Sequence, residues 1–93
     1  MAVLFVIPGP LREFAGNRSD VALDDASGSL RDALGRLCRE YPGIRDRVLT
    51  ERDELRPHVN VFVDGENARY LGWLDAVVSE GAEVMLLPAI SGG

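Results

Sequence analysis

The chain has no lysine, one cysteine and one histidine. A lone cysteine makes no internal disulfide, and by itself it holds neither an iron–sulfur cluster nor a cysteine-based zinc site. No apolar stretch reaches the ~20 residues that a membrane span requires. The opening "MAVLFVIPGP" has no basic leader and no small-residue cleavage site, so it does not read as a signal peptide, and a soluble cytoplasmic protein is the expectation. Positive charge is scarce as well. The net charge of -5 argues against a nucleic-acid partner, whose phosphates reward a cationic surface. Neither a phosphate-binding GxxxxGK[ST] loop nor an HExxH or GxSxG motif is present, and there are no repeats, low-complexity tracts or internal linkers.

What is there is enough for one domain. A chain of 93 residues buries roughly 60–65% of its unfolded surface, which suffices for unaided stability around a single core. Composition is that of an ordinary globular protein, 46% hydrophobic and 27% charged. The apolar run "AVLFVI", stopped by Pro8-Gly9-Pro10, predicts a strand with neighbours on both sides. "LREFAGNRSD" carries the turn signal Gly16-Asn17, and "SDVAL" predicts a second strand paired with the first across a moderately long loop.

"SLRDALGRLCREYPG" predicts a helix. Leu30, Ala33, Leu34, Leu37, Cys38 and Tyr41 recur at helical spacing on one stripe, while Arg31, Asp32, Arg36, Arg39 and Glu40 fall on the wet side. Ser29 with Asp32 makes a capping-box-like start, and Pro42-Gly43 ends the helix. "IRDRVLTERDELRP" has room for another helical turn before it becomes a charge-dense, solvated loop. "HVNVFV" alternates, with Val59, Val61 and Val63 on one face and His58, Asn60 and Phe62 on the other, and Asp64-Gly65 is a hairpin turn. "LGWLDAVVSEGAE" reads as a connection with a short helical turn, and "EVMLLP" as the last strand. One amphipathic helix covers one face of a small mixed sheet. The expected architecture is therefore α+β: a β-grasp, or ubiquitin-like, domain over residues 1–88 followed by a flexible tail at residues 89–93.

Conventional catalytic groups are hard to assemble from these parts. His58 sits at a strand start after a proline, where a polar edge residue is expected rather than a base. Cys38 lies on the apolar stripe of the helix, as a small core residue rather than a nucleophile. Asp24-Asp25 reads as a turn that complements the helix dipole, not as an acid–base dyad. The tail remains. Pro88 has no N–H to donate, so the sheet ladder is expected to stop there. Ala89, Ile90, Ser91, Gly92 and Gly93, fully extended, reach roughly 17 Å. Two residues without Cβ atoms pass through a narrow channel and adopt backbone angles closed to others. Such a tail presents a carboxylate inside another protein's active site. A carboxylate is a poor electrophile, so acyl chemistry there needs a partner that activates it with ATP. A chain without lysine also offers an activated C-terminus no ε-amine of its own.

The "VNVFVDGENARY" stretch, the "WLDAVVSEGAEVMLLPA" segment and the terminal "GG" resemble the MoaD/ThiS family of small sulfur carriers. The likeness runs strongest from Arg56 to Gly93, with "LREFAG" as a weaker N-terminal echo. It implies a carrier with no active site and no cofactor of its own. An E1-like enzyme adenylates the carboxylate of Gly93 using ATP, and sulfur replaces AMP to leave a thiocarboxylate, with Gly92 as the conformational partner. "RPHVNVFVDGENARY" is similar to the CysO-type carriers of cysteine biosynthesis. These hand sulfur to O-phosphoserine on a PLP-dependent, cysteine synthase-like acceptor, and a metalloprotease releases the product. The alternatives are the small subunit of molybdopterin synthase, which pairs with the large subunit of that enzyme, a ubiquitin-like protein modifier, and a plain β-grasp binding module. Strand parity adds a docking face. If Val3, Phe5, Ile7, Val84 and Leu86 face the helix with the valines of "VNVFV", then Leu4, Val6, Phe62, Met85 and Leu87 form an uncovered apolar patch. That patch, with Pro88 and with Ile90 of the tail, is expected to bind the partner enzymes.

Overall fold

The computed structural model describes residues 2–52 and 54–88. Alternation in the apolar segments becomes a five-stranded sheet. Strands β1 (Val3–Val6), β2 (Asp20–Leu23), β4 (Val59–Val63), β5 (Glu66–Asn67) and β7 (Glu83–Pro88) stand in the order β2-β1-β7-β4-β5. β1 runs parallel to β7, and the other neighbours are antiparallel. The apolar run at the N-terminus thus has partners on both sides, as its composition predicts. A 3-10 helix over Gly9–Ala15 fills the β1–β2 connection and ends on Gly16 and Asn17, both in the left-handed region at φ 64° and 62°. The Asp64-Gly65 turn also has positive φ at both positions, 50° and 85°, the geometry that matches the twist of a two-residue hairpin.

Helix α1 (Leu30–Glu40) lies across one face of the sheet. It begins where the Ser29 hydroxyl accepts a hydrogen bond from the Asp32 N–H at 3.1 Å. It buries Leu30, Ala33, Leu34, Leu37 and Cys38. These meet Val3, Phe5, Ile7, Val59, Val61, Val84 and Leu86, each no more than 1% exposed. Burial of a leucine or isoleucine to this extent contributes about 1.5–3 kcal/mol. This is the β-grasp expected from the sequence.

The helical turns expected after Pro42 and before the last strand are both present, in more elaborate form. Pro42 does end α1, but it also occupies the first turn of a second helix, α2 (Pro42–Val48), where its fixed φ and missing N–H cost nothing. α2 buries Ile44 and Val48 and packs between α1 and the Gly9–Ala15 turn. The connection before the last strand holds two 3-10 turns, Ala68–Tyr70 and Trp73–Asp75. It also holds a two-residue strand, β6 (Val77–Val78), paired with β3 (Gly28–Ser29). That small ladder, with the Leu30 N–H donating to the Ala76 carbonyl at 2.8 Å, pins the start of α1. Among the described residues no helix is long and apolar enough to cross a membrane.

Candidate functional site

The sheet face opposite α1 follows from strand parity. Partners in a ladder point to the same side, so the register sets the rows on this face. Val6 pairs with Met85, and Met85 with Phe62, forming one apolar row across the three central strands. On one side of this row Leu4 pairs with Glu83; on the other, Leu87 pairs with Asn60. Leu4, Val6, Phe62 and Met85 are half-buried, each shielded by its neighbours, and Leu87 is 40% exposed. The expected patch is therefore assembled on one surface.

β7 carries the chain away beside this patch. Its last residue, Pro88, is level with Val59, so the ladder continues to Pro88 and the chain leaves at the start of β4. Ile90, Gly92 and Gly93 lie outside the described residues.

The other chemistry-bearing residues stand apart. Cys38 is buried on the core side of α1. His58 is exposed at the entry to β4, and Asp24-Asp25 forms an exposed turn with Asp25 at φ 59°. The structure brings none of the three together. Among the described residues no group of histidine, cysteine, aspartate and glutamate is arranged to hold a metal ion.

A concavity elsewhere was missed by the sequence reading. A cleft of about 390 Å³ lies between α1, the loop before β4 and the Trp73 turn, lined by Arg31, Glu54, Leu55, Gly72, Trp73, Leu74 and Asp75. Trp73 has φ 58°, a left-handed backbone that bulky residues rarely take. The Arg69 guanidinium lies 5.3 Å from its ring centroid. Arg31 pairs with Asp75 at 3.3 Å with both side chains mostly exposed, a contact of little energetic weight. Tyr70 at 86% and Val77 at 75% exposure stand nearby in the chain. The run "RYLGW" was the available signal, since it places two aromatics close to a glycine in a connection between strands.

Comparison with known proteins follows the same outline. The model of the ThiS family matches residues 5–93. The sulfur carrier protein CysO of Mycobacterium tuberculosis is 33% identical over 96 aligned positions, covering 100% of this chain and 100% of that protein. Small archaeal modifier protein 1 of Haloferax volcanii is 35% identical over 83 residues, 89% of this chain and 91% of its own. A chain in the crystal structure of the Amycolatopsis orientalis BexX/CysO complex superposes with a TM-score of 0.88 at 30% identity, covering 99% of this chain and 100% of that one.

Proposed function

The chain belongs to the ThiS family, and from that premise we propose that it is a sulfur carrier, loaded on Gly93 and acting in the cytoplasm as a co-substrate of other enzymes. One observation carries the reading: the family match runs through residue 93, so Gly92 and Gly93 lie inside the shared pattern. The chemistry needs no side chain of this protein. An E1-like enzyme brings the Gly93 carboxylate oxygen onto the α-phosphorus of ATP, expelling pyrophosphate and leaving a mixed anhydride. A sulfur nucleophile then attacks the acyl carbon, AMP departs, and a thiocarboxylate remains.

The chain's own contribution is geometric. Gly92 and Gly93 lack the Cβ atoms that would widen a tail inside a narrow channel. The outer-face row of Val6, Met85 and Phe62, extended by Leu4 and Leu87, provides the apolar seat for the activating enzyme, and Pro88 and Ile90 are proposed to join it in the bound state. No cofactor is assigned to the carrier; ATP belongs to the partner.

The acceptor we assign is a PLP-dependent, cysteine synthase-like enzyme, supported by the end-to-end likeness to a CysO carrier. There the thiocarboxylate sulfur displaces phosphate from the amino-acid substrate, and a metalloprotease afterwards cleaves the new amino acid from Gly93. Incubating the loaded carrier with O-phosphoserine and that synthase should release phosphate and leave a chain heavier than the unloaded carrier by one cysteinyl residue. A loaded carrier that gains nothing overturns this acceptor. The likeness to a small archaeal modifier protein favours a second reading, conjugation of Gly93 to lysines of other proteins. Isopeptide-linked adducts recovered from cells would establish it.

A further inference from the structure

Charge is segregated along the strand axis. At the end where β7 begins, the connections carry carboxylates: Asp24 and Asp25 after β2, Asp64 and Glu66 at the β4–β5 turn, and Glu83 itself. The Asp64 carboxylate caps this end by accepting the Glu83 N–H at 2.9 Å. Those segments contain no arginine.

The end where β7 stops is the opposite. Arg56 and His58 lie just before Val59, which is level with Pro88. Arg69 reaches the same place, donating to the Pro57 carbonyl at 3.4 Å. Arg56 donates to the Asp46 carbonyl at 3.0 Å, and Arg12 to the Ile7 carbonyl at 3.1 Å, just past the end of β1. Each guanidinium is thus anchored on a main-chain oxygen. Glu13, Asp20, Asp46 and Glu54 also stand at or near this end, yet among the described residues no ion pair is formed by Arg12, Arg56 or Arg69. Three guanidinium groups held on main-chain oxygens thus gather at one end of a chain whose net charge is -5.

We propose that this cationic end, built on Arg56 and Arg69 with Arg12 beyond them, is a docking surface for a protein whose active-site entrance is rimmed with carboxylates. The proposal rests on the carrier reading, because that reading makes residues 89–93 enter a partner. Charge complementarity selects the occupant. A protein that is anionic overall is repelled by an acidic partner in most orientations, and only the tail-bearing end is attracted. The field therefore turns the carrier so that the tail arrives first, and it acts mainly on the association rate. The outer sheet patch then supplies short-range contact, while the arginines set the approach.

The test loads the full chain with the E1-like adenylating enzyme encoded in the same genome, ATP and sulfide, and follows kcat/KM for thiocarboxylate formation at rising ionic strength. Arg56→Glu combined with Arg69→Glu should lower kcat/KM roughly tenfold or more at low salt. The loss should shrink toward none near about 1 M salt, where the screening length is ~3 Å. Arg56→Lys with Arg69→Lys should retain loading, because the field needs charge rather than a guanidinium. Asp24→Arg with Glu66→Arg at the far end should not reduce it. Thermal unfolding of each variant separates lost docking from lost fold, and the lysine pair keeps the proposal testable if the glutamate pair unfolds. A glutamate pair that folds and loads normally overturns the docking surface while leaving the carrier reading intact, as does a loss indifferent to salt or a lysine pair that fails to load. Wild-type protein that is never loaded overturns the carrier reading, and the docking surface with it.

Discussion

The two faces of the five-stranded sheet differ in composition and in fate: the inner face of its four longer strands is wholly apolar, while the outer face mixes Asp20, Asn60 and Glu83 with a central apolar row. On the inner face Phe5, Val61 and Leu86 are fully buried under α1. On the outer face Val6, Phe62 and Met85 sit on the same strands, one residue along, and remain half-exposed. Folding explains the first set, because each buried apolar area stabilises the chain by roughly 25 cal/mol per Å². It explains less of the second. A face that needed only to be wet would carry polar residues throughout, as this face does at Asn60 and Glu83 but not along its central row. The proposed docking surface gives these apolar residues a role, since contiguous exposed apolar patches commonly mark interaction sites.

That contrast breaks most sharply under charge. Val61→Asp places a carboxylate in the core with no partner and should cost more than about 4 kcal/mol, enough to leave the chain unfolded in a thermal melt followed by circular dichroism. Leu87→Asp on the open face should leave the melting temperature within a few degrees of wild type while abolishing adenylation by the cognate enzyme. Equal damage from the two substitutions would erase the distinction between the faces. Smaller but still large is the loss from Leu34→Ala, which empties a fully buried site of α1 and should cost ~2–5 kcal/mol in chemical denaturation. Ser29→Ala removes the hydroxyl that accepts the Asp32 N–H and should cost about 1 kcal/mol in the same assay. Least disturbing to the fold is Gly93→Ala. We expect an unchanged melt with slower ATP–pyrophosphate exchange, since only the acyl end gains a methyl group, and normal exchange would refute a narrow channel.

Most of the fold was legible because its signals are local. Ser29 caps α1 as its spacing predicts, and Asp64-Gly65 takes the two positive φ angles that the hairpin requires. The valines of "VNVFV" face inward, and with them the parity of every residue in the outer row was set correctly. α2 was harder, because Pro42 serves equally well as a stop and as a first helical residue, and seven residues are too few for a full apolar stripe. The β3–β6 ladder is two residues long on each side, below the length at which alternation registers. The left-handed backbone at Trp73 has no sequence signal, since the residue types that adopt it readily are glycine and asparagine. The anchoring of Arg12, Arg56 and Arg69 on backbone carbonyls was also out of reach. It depends on three segments distant in the chain meeting at one end of the sheet.

The central claim is that this scaffold serves to present Gly93 for loading, and intact mass measures that directly. Protein incubated with its adenylating enzyme, ATP and a sulfur donor should gain the difference between one sulfur and one oxygen, localised to a C-terminal peptide containing Gly93. An unchanged mass, under conditions where the same enzyme loads another carrier, would contradict the account.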